Sequence, residues 1–151
     1  MKHRGRNVLL VIATLLIVIQ FIPVPKTNPP TTGEIDAPEA VKAVFQRSCY
    51  DCHSNQTIWP WYSKVAPVSW LLYRDVTGGR RATNLSEWQQ IPTLRQNRRR
   101  KGVWSEVRDG DMPPWFYGPL HRDRKLSDSD KAILKAWSDA GPAVPASGNG
   151  K

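Results

Sequence analysis

The sequence predicts an all-α protein: a small helical domain behind an N-terminal transmembrane helix. Three observations carry that expectation. The chain starts with basic residues and an unbroken apolar run. Two later segments pair helix-start signals with apolar residues at helical spacing. No segment shows the period-2 alternation of a half-buried strand. At 151 residues the chain suits one domain of ordinary size, and its 40% hydrophobic and 23% charged residues are those of a globular protein. Thirteen prolines and ten glycines point to short elements and many loops, and seven tryptophans to an aromatic core or a lined pocket.

Residues 1–7, "MKHRGRN", form a basic N-region expected to stay in the cytoplasm. Residues 8–24, "VLLVIATLLIVIQFIPV", are apolar apart from Thr14 and Gln20. As a helix they span about 26 Å at ~1.5 Å per residue, close to a ~30 Å hydrocarbon core. No small-residue cleavage pattern follows, so the run reads as an uncleaved signal anchor. That expectation places the segment in a bacterial inner membrane, with the rest of the chain on the periplasmic side. Residues 25–35, rich in proline and threonine, read as an extended, fairly stiff linker.

The folded domain is expected over residues 36–141. In "DAPEAVKAVFQRSC", Asp36 reads as an N-cap with Glu39 three residues later and Pro38 in the first turn. Val41, Val44, Phe45 and Ser48 then share one face. "VSWLLYRDV" predicts a short helix, and "IPTLRQNRRRKGVWSEVRDG" another, weakened at Gly102. "LSDSDKAILKAWSDAGP" predicts the last helix: Ser127 caps, Asp130 closes a capping box, Ile133, Leu134 and Trp137 form the apolar stripe, and Gly141 with Pro142 stops it. Residues 142–151 read as a disordered tail.

The chemistry concentrates in "RSCYDCHSNQTIWPWY". Cys49 and Cys52 are the only cysteines, and His53 follows directly. A disulfide over two residues closes almost no loop entropy. A thioredoxin-like pair belongs after a strand, and here a helix precedes it. A structural zinc needs four ligands, and adjacent Cys52 and His53 rarely reach one metal. The remaining reading is C-x-x-C-H, the attachment signal of a c-type haem. Two thiols add to the two haem vinyl groups, and the next histidine stands as the proximal iron ligand. Maturation outside the inner membrane agrees with the anchor.

A second axial ligand is sought next, since Met with His is one pairing found in electron carriers. Besides the start residue the one methionine is Met112, in "RDGDMPPWFYGPLH". It lies 59 residues after His53 and 15 before Ser127, in a proline-stiffened loop ahead of the last helix. That order is the one in which single-haem cytochromes c supply a distal methionine. The rival is His121, which would give a bis-histidine centre. An open sixth position is the third option and would permit ligand or peroxide chemistry. Trp59, Trp61, Tyr62 and Trp70 follow the motif and are candidates for packing on the porphyrin or bonding a propionate; as ordinary core they need no such role.

Taken together, "CYDCHSN", "WPWYS", "APVSW", "SEW" and "MPPW" resemble the small haem-binding domain family of bacterial C-x-x-C-H proteins, from about Val44 to Trp137. The resemblance implies a cytochrome c-like monohaem c-type domain, often membrane-anchored and facing the periplasm. Two departures stand out: "GGRRATNLSEW" is more basic than expected, and Arg122 follows His121 where proline is expected.

The formal charge is +9, three of it from Lys2, Arg4 and Arg6. Basic residues do not alternate with aromatics, which argues against nucleic acid. Arg98, Arg99, Arg100 and Lys101, with Arg95 nearby, read as a docking face for an acidic redox partner, a contact with anionic lipid, or a solvated helix face. The expected function is a membrane-anchored carrier of single electrons without a substrate of its own. The alternative is a haem-based sensor or peroxidase-like protein with an open or displaceable sixth ligand.

Overall fold

The structure is a computed structural model that describes residues 2–141. The expected tail, 142–151, lies outside the described residues. Among these the chain is all helical, with no strand. The helices are α1 (Lys2–Val18), α2 (Glu39–Ser48), α3 (Tyr50–His53), α4 (Val68–Ala82), α5 (Thr93–Asp109) and α6 (Asp128–Asp139). Short 3-10 segments at Ile19–Phe21, Trp61–Lys64, Leu85–Gln90 (kinked at Glu87) and Arg122–Arg124 punctuate the connections.

The core is built by the residues whose spacing marked them. Val41, Val44, Phe45 and Ser48 of α2 are buried, as are Leu134 and Trp137 of α6. Ile133 is only half-buried at the edge. Phe45 meets the Trp137 ring edge-on with centroids 5.1 Å apart, and Trp88 closes the other side at 5.9 Å. Edge-to-face contact suits the ring quadrupoles. Arg47 of α2 binds Asp130 of α6 at 2.6 Å, tying the two helices at their ends.

Helix starts and stops follow the local chemistry, with some corrections. The Ser127–Asp130 capping box is formed reciprocally. At α2 the expected Asp36 cap is not used: the helix begins at Glu39 behind Pro38, without a side-chain cap. Proline has no N–H to satisfy and a fixed φ, which suits it to a helix entrance. The short helix expected around residues 68–76 runs on to Ala82, through Gly78 and Gly79. Likewise α5 passes Gly102 without a break and ends at Gly110, whose φ of 82° is the left-handed stop.

The segment read as a linker is laid along the domain. The amides of Thr32 and Gly33 both donate to the Ser86 carbonyl, at 3.1 and 3.0 Å, and that of Ile35 donates to Leu85 at 2.9 Å. Gln89 returns a bond to the Gly33 carbonyl at 2.9 Å, and the Ile35 side chain enters the core. Helix α1 stands apart from this body. Its residues Val8–Val18 are exposed, and Arg4–Phe21 is long and apolar enough to cross a membrane.

Candidate functional site

The C-x-x-C-H segment is one helical turn wedged between α2 and α4. Cys49 ends α2, its amide bonded to the Phe45 carbonyl at 2.8 Å. Its own carbonyl accepts the amides of Cys52, at 3.2 Å, and His53, at 2.9 Å. This winding puts Cys49, Cys52 and His53 around a single turn. The two thiols are free, not joined as a disulfide. Both residues keep some exposed surface, yet burial pushes the Cys49 thiol up to about 12 and the Cys52 thiol up to about 11, each helped by a neighbouring negative group. A redox or nucleophilic cysteine needs the opposite shift. Among the described residues no group of three or more His, Cys, Asp or Glu side chains could hold a metal ion, so a protein-only zinc site finds no support.

His53 is oriented from behind. Its Nδ1 lies 3.1 Å from the Thr83 carbonyl at the end of α4. A carbonyl only accepts, so Nδ1 carries the proton and Nε2 keeps its lone pair. That is how metal-bound histidines are commonly held. Burial lowers the His53 pKa, against the pull of the Thr83 and Gly79 carbonyls and the Glu106 carboxylate. A neutral, singly protonated ring is the form that binds iron.

Helix α4 approaches unusually closely here. A Cβ on Gly79 would stand 2.4 Å from the Cys52 carbonyl oxygen, so only glycine lets the two backbones touch. The next residue, Arg80, locks the contact. Its Nε donates to the Ser54 carbonyl at 2.7 Å, and its Nη2 donates to Thr57 Oγ1 at 2.8 Å. Nη1 reaches back to the Thr27 carbonyl at 2.8 Å. Behind it is a buried polar web: the Asn55 amide donates to Ser86 Oγ at 3.0 Å, Asn84 Nδ2 to Asn55 Oδ1 at 2.9 Å, and the Ser86 amide to Asn84 Oδ1 at 3.0 Å.

The opposite side is the loop from Asp111 to Leu126. Met112 is more than one-third exposed, and its amide donates to the Glu106 carbonyl at 3.1 Å. Trp115, Phe116 and Leu120 expose apolar surface beyond it. Further on, the loop docks on the motif itself. Tyr117 Oη donates to Asp51 Oδ2 at 2.8 Å, and Arg124 pairs with the same carboxylate oxygen. His121 stacks on Tyr117 at 4.1 Å between centroids. Its Nδ1 lies 3.2 Å from the Tyr117 carbonyl and its Nε2 lies 3.2 Å from Tyr62 Oη. The same logic puts the proton on Nδ1, so Nε2 accepts from Tyr62.

The aromatic candidates separate. Tyr62 joins the His121 contact. Trp61 is exposed, at 79%. Trp70 Nε1 donates to the Ile22 carbonyl at 3.1 Å, on the anchor side. Trp59 buries its Nε1 with no protein partner, a donor that a bound acid group could satisfy. The basic run also divides. Arg100 is buried, donates to the Trp137 carbonyl at 2.5 Å and lies 4.5 Å over that ring. Arg99 reaches Thr83 Oγ1 at 3.2 Å. One surface of four cations is therefore not present; Arg95, Arg98 and Lys101 are the exposed members.

Asp51, Tyr117 and Arg124 were given no site role by sequence, and Gly79, Arg80 and Thr83 were noticed only as part of a stretch more basic than expected. Asp51 carried a faint signal, as an acid inside the motif. The backbone carbonyl of Thr83 carried none.

The residues present fit a haem: a histidine whose Nε2 keeps its lone pair, two free thiols on the same turn, an unpaired buried donor, and a loop with exposed apolar residues fastened to the motif through Asp51. A family model described as a haem-binding domain matches residues 14–140. Searches of curated proteins and of solved structures each returned no match.

Proposed function

The chain belongs to the haem-binding domain family, and from that premise we propose that it is a c-type, single-haem electron carrier anchored in a bacterial inner membrane, with its domain in the periplasm. Cys49 and Cys52 would hold the haem through their Sγ atoms, and His53 would meet its iron through Nε2. The observation that carries this reading is the His53 Nδ1–Thr83 hydrogen bond, which fixes the tautomer and the ring plane. When bound, the haem supplies a one-electron couple.

The chain's own residues then hold, orient and shield. Gly79 and Arg80 pin the attachment turn to α4. Trp59 Nε1 is the donor available to a propionate. Met112 is the better sixth ligand of the two candidates, because the His121 lone pair already accepts from Tyr62. Occupied axial positions leave no place for a substrate, so the protein is not an enzyme in this reading. The partner is a redox protein, and Arg95, Arg98 and Lys101 suit an acidic one. Helix α1, apolar enough to span, supports the anchor.

A second reading, a sensor or peroxidase-like protein with a displaceable sixth ligand, draws on the exposure of Met112. The first test is the absorption spectrum of the full chain, matured with haem on export, before and after denaturation and acid–acetone extraction. Colour that stays with the polypeptide is the expected result; colour that washes out sinks the covalent reading. Carbon monoxide then separates the two functions. Slow, partial binding to the reduced protein is expected, and rapid, complete binding favours the second reading.

A further inference from the structure

The apolar helix does not end in a free joint. Gln20, which interrupts the apolar run, turns its amide onto the backbone of Ala66. Its Nε2 donates to the Ala66 carbonyl at 3.1 Å, and the Ala66 amide donates back to Oε1 at 3.0 Å. This is a two-point clasp between residues 46 apart in sequence. Two further bonds extend it: Trp70 Nε1 to the Ile22 carbonyl at 3.1 Å, and Lys26 Nζ to the Ser63 carbonyl at 3.3 Å.

The surface around this clasp is apolar where a water-facing one would be polar. Trp61 is 79% exposed, Val65 44%, Val68 38% and Leu71 52%. Lys64 is exposed among them, and Arg74 lies one turn beyond Leu71 on α4. Tryptophan with flanking lysine and arginine is the composition of the headgroup layer, where the ring is half-immersed and the cations meet lipid phosphates. The helix from Arg4 to Phe21 is 18 residues long. At ~1.5 Å per residue it is about as long as a ~30 Å hydrocarbon core is thick. Gln20 therefore lies at the core's outer edge, and whatever it is bonded to lies at headgroup height.

We infer that residues 61–71 are a membrane-interface surface, seated in the headgroup layer of the same bilayer that α1 crosses. The occupant is lipid, because the clasp places this surface beside the helix exit. The inference rests on the proposed anchor. Its consequence for the site is direct: Tyr62, inside the seated segment, is the residue that bonds His121. The candidate haem site is thereby held at a fixed height next to the membrane.

The test uses the full, haem-matured chain in vesicles of phosphatidylcholine and phosphatidylglycerol. A benzophenone-bearing residue replaces Ile12, Trp61, Leu71 or Leu94 in turn. All four side chains are exposed, so the substitutions disturb little packing. Leu94, on α5, is the control away from the clasp. Ile12, Trp61 and Leu71 are expected to give lipid adducts several-fold above Leu94. Adducts at Ile12 with only the Leu94 level at Trp61 and Leu71 would overturn the inference and leave the anchor standing. No adduct at Ile12 would remove the anchor, and the inference with it. Adducts of Trp61 and Leu71 with a second protein chain instead of lipid would also overturn it.

Discussion

The two sides of the candidate site are built differently. The proximal side, from Cys49 to Asn55 with α4 and residues 83–86, is backed by buried polar groups that are almost all paired: Ser54, Asn55, Asn84 and Ser86 are each under 10% exposed and hydrogen-bonded. The distal side, the loop 111–126, exposes Met112, Trp115, Phe116 and Leu120. It is fastened to the motif chiefly through Asp51, Tyr117, Arg124 and the His121–Tyr62 contact. A fully satisfied buried web rigidifies what it surrounds. A loop held by a few polar contacts opens at low cost. His53 is therefore held by the fold, whereas Met112 and His121 sit in a loop held by a few contacts that can exchange.

The sharpest way to break this contrast is at the two adjacent glycines of α4. Gly79→Ala drives a methyl into the Cys52 carbonyl, and a loss of about 3 kcal/mol in denaturant unfolding is expected. Gly78→Ala meets nothing within 4 Å, and a gain of roughly 0.5–1 kcal/mol is expected because alanine loses less backbone entropy in a helix. Equal effects would mean that the close approach does not matter. Next comes Arg80→Met. It strips the Ser54 and Thr57 contacts and the bond to Thr27, with an expected cost of about 2 kcal/mol.

The distal side should respond in another currency. Arg124→Ala removes the partner of Asp51 and is expected to cost only about 1 kcal/mol. Hydrogen exchange should nevertheless rise across residues 112–126 and stay unchanged at 50–55. A rise on both sides would erase the distinction. The smallest effect lies outside both regions. Burial pushes the Asp130 carboxyl up, but Arg47 and the Ser127 donors outweigh it, so its folded pKa sits below the usual value. The stabilisation, about 0.5 kcal/mol for a pair whose Arg47 side is exposed, is present above the unfolded carboxylate range and fades as pH falls through the lowered pKa. Asp130→Asn should flatten that acid limb in pH-dependent unfolding.

Much of this was legible in the sequence, for identifiable reasons. Val41, Val44, Phe45, Leu134 and Trp137 are buried because their periods match the helix, and Ser127 with Asp130 is a local signal within one turn. The C-x-x-C-H turn is equally local. What stayed hidden depends on tertiary approach. Asp51 meets Tyr117 and Arg124 across 66 and 73 residues. Thr83 acts through a carbonyl, which every residue has. Gly78 and Gly79 look like a helix end by propensity, yet Gly79 is needed because α4 crosses the motif at backbone distance. Residues 25–35 have a linker's composition, and their bonds to Asn55, Arg80, Leu85, Ser86 and Gln89 make them part of the body.

That last packing has a consequence for biogenesis. The chain is made from its N-terminus, so Thr27, Thr32 and Ile35 emerge long before Arg80, Ser86 and Leu85 exist to receive them. During that interval residues 25–35 are unseated and the turn from Cys49 to His53 has no α4 behind it. The order of synthesis thus leaves the Cys49–His53 turn without its backing until the chain has been made as far as Gln89.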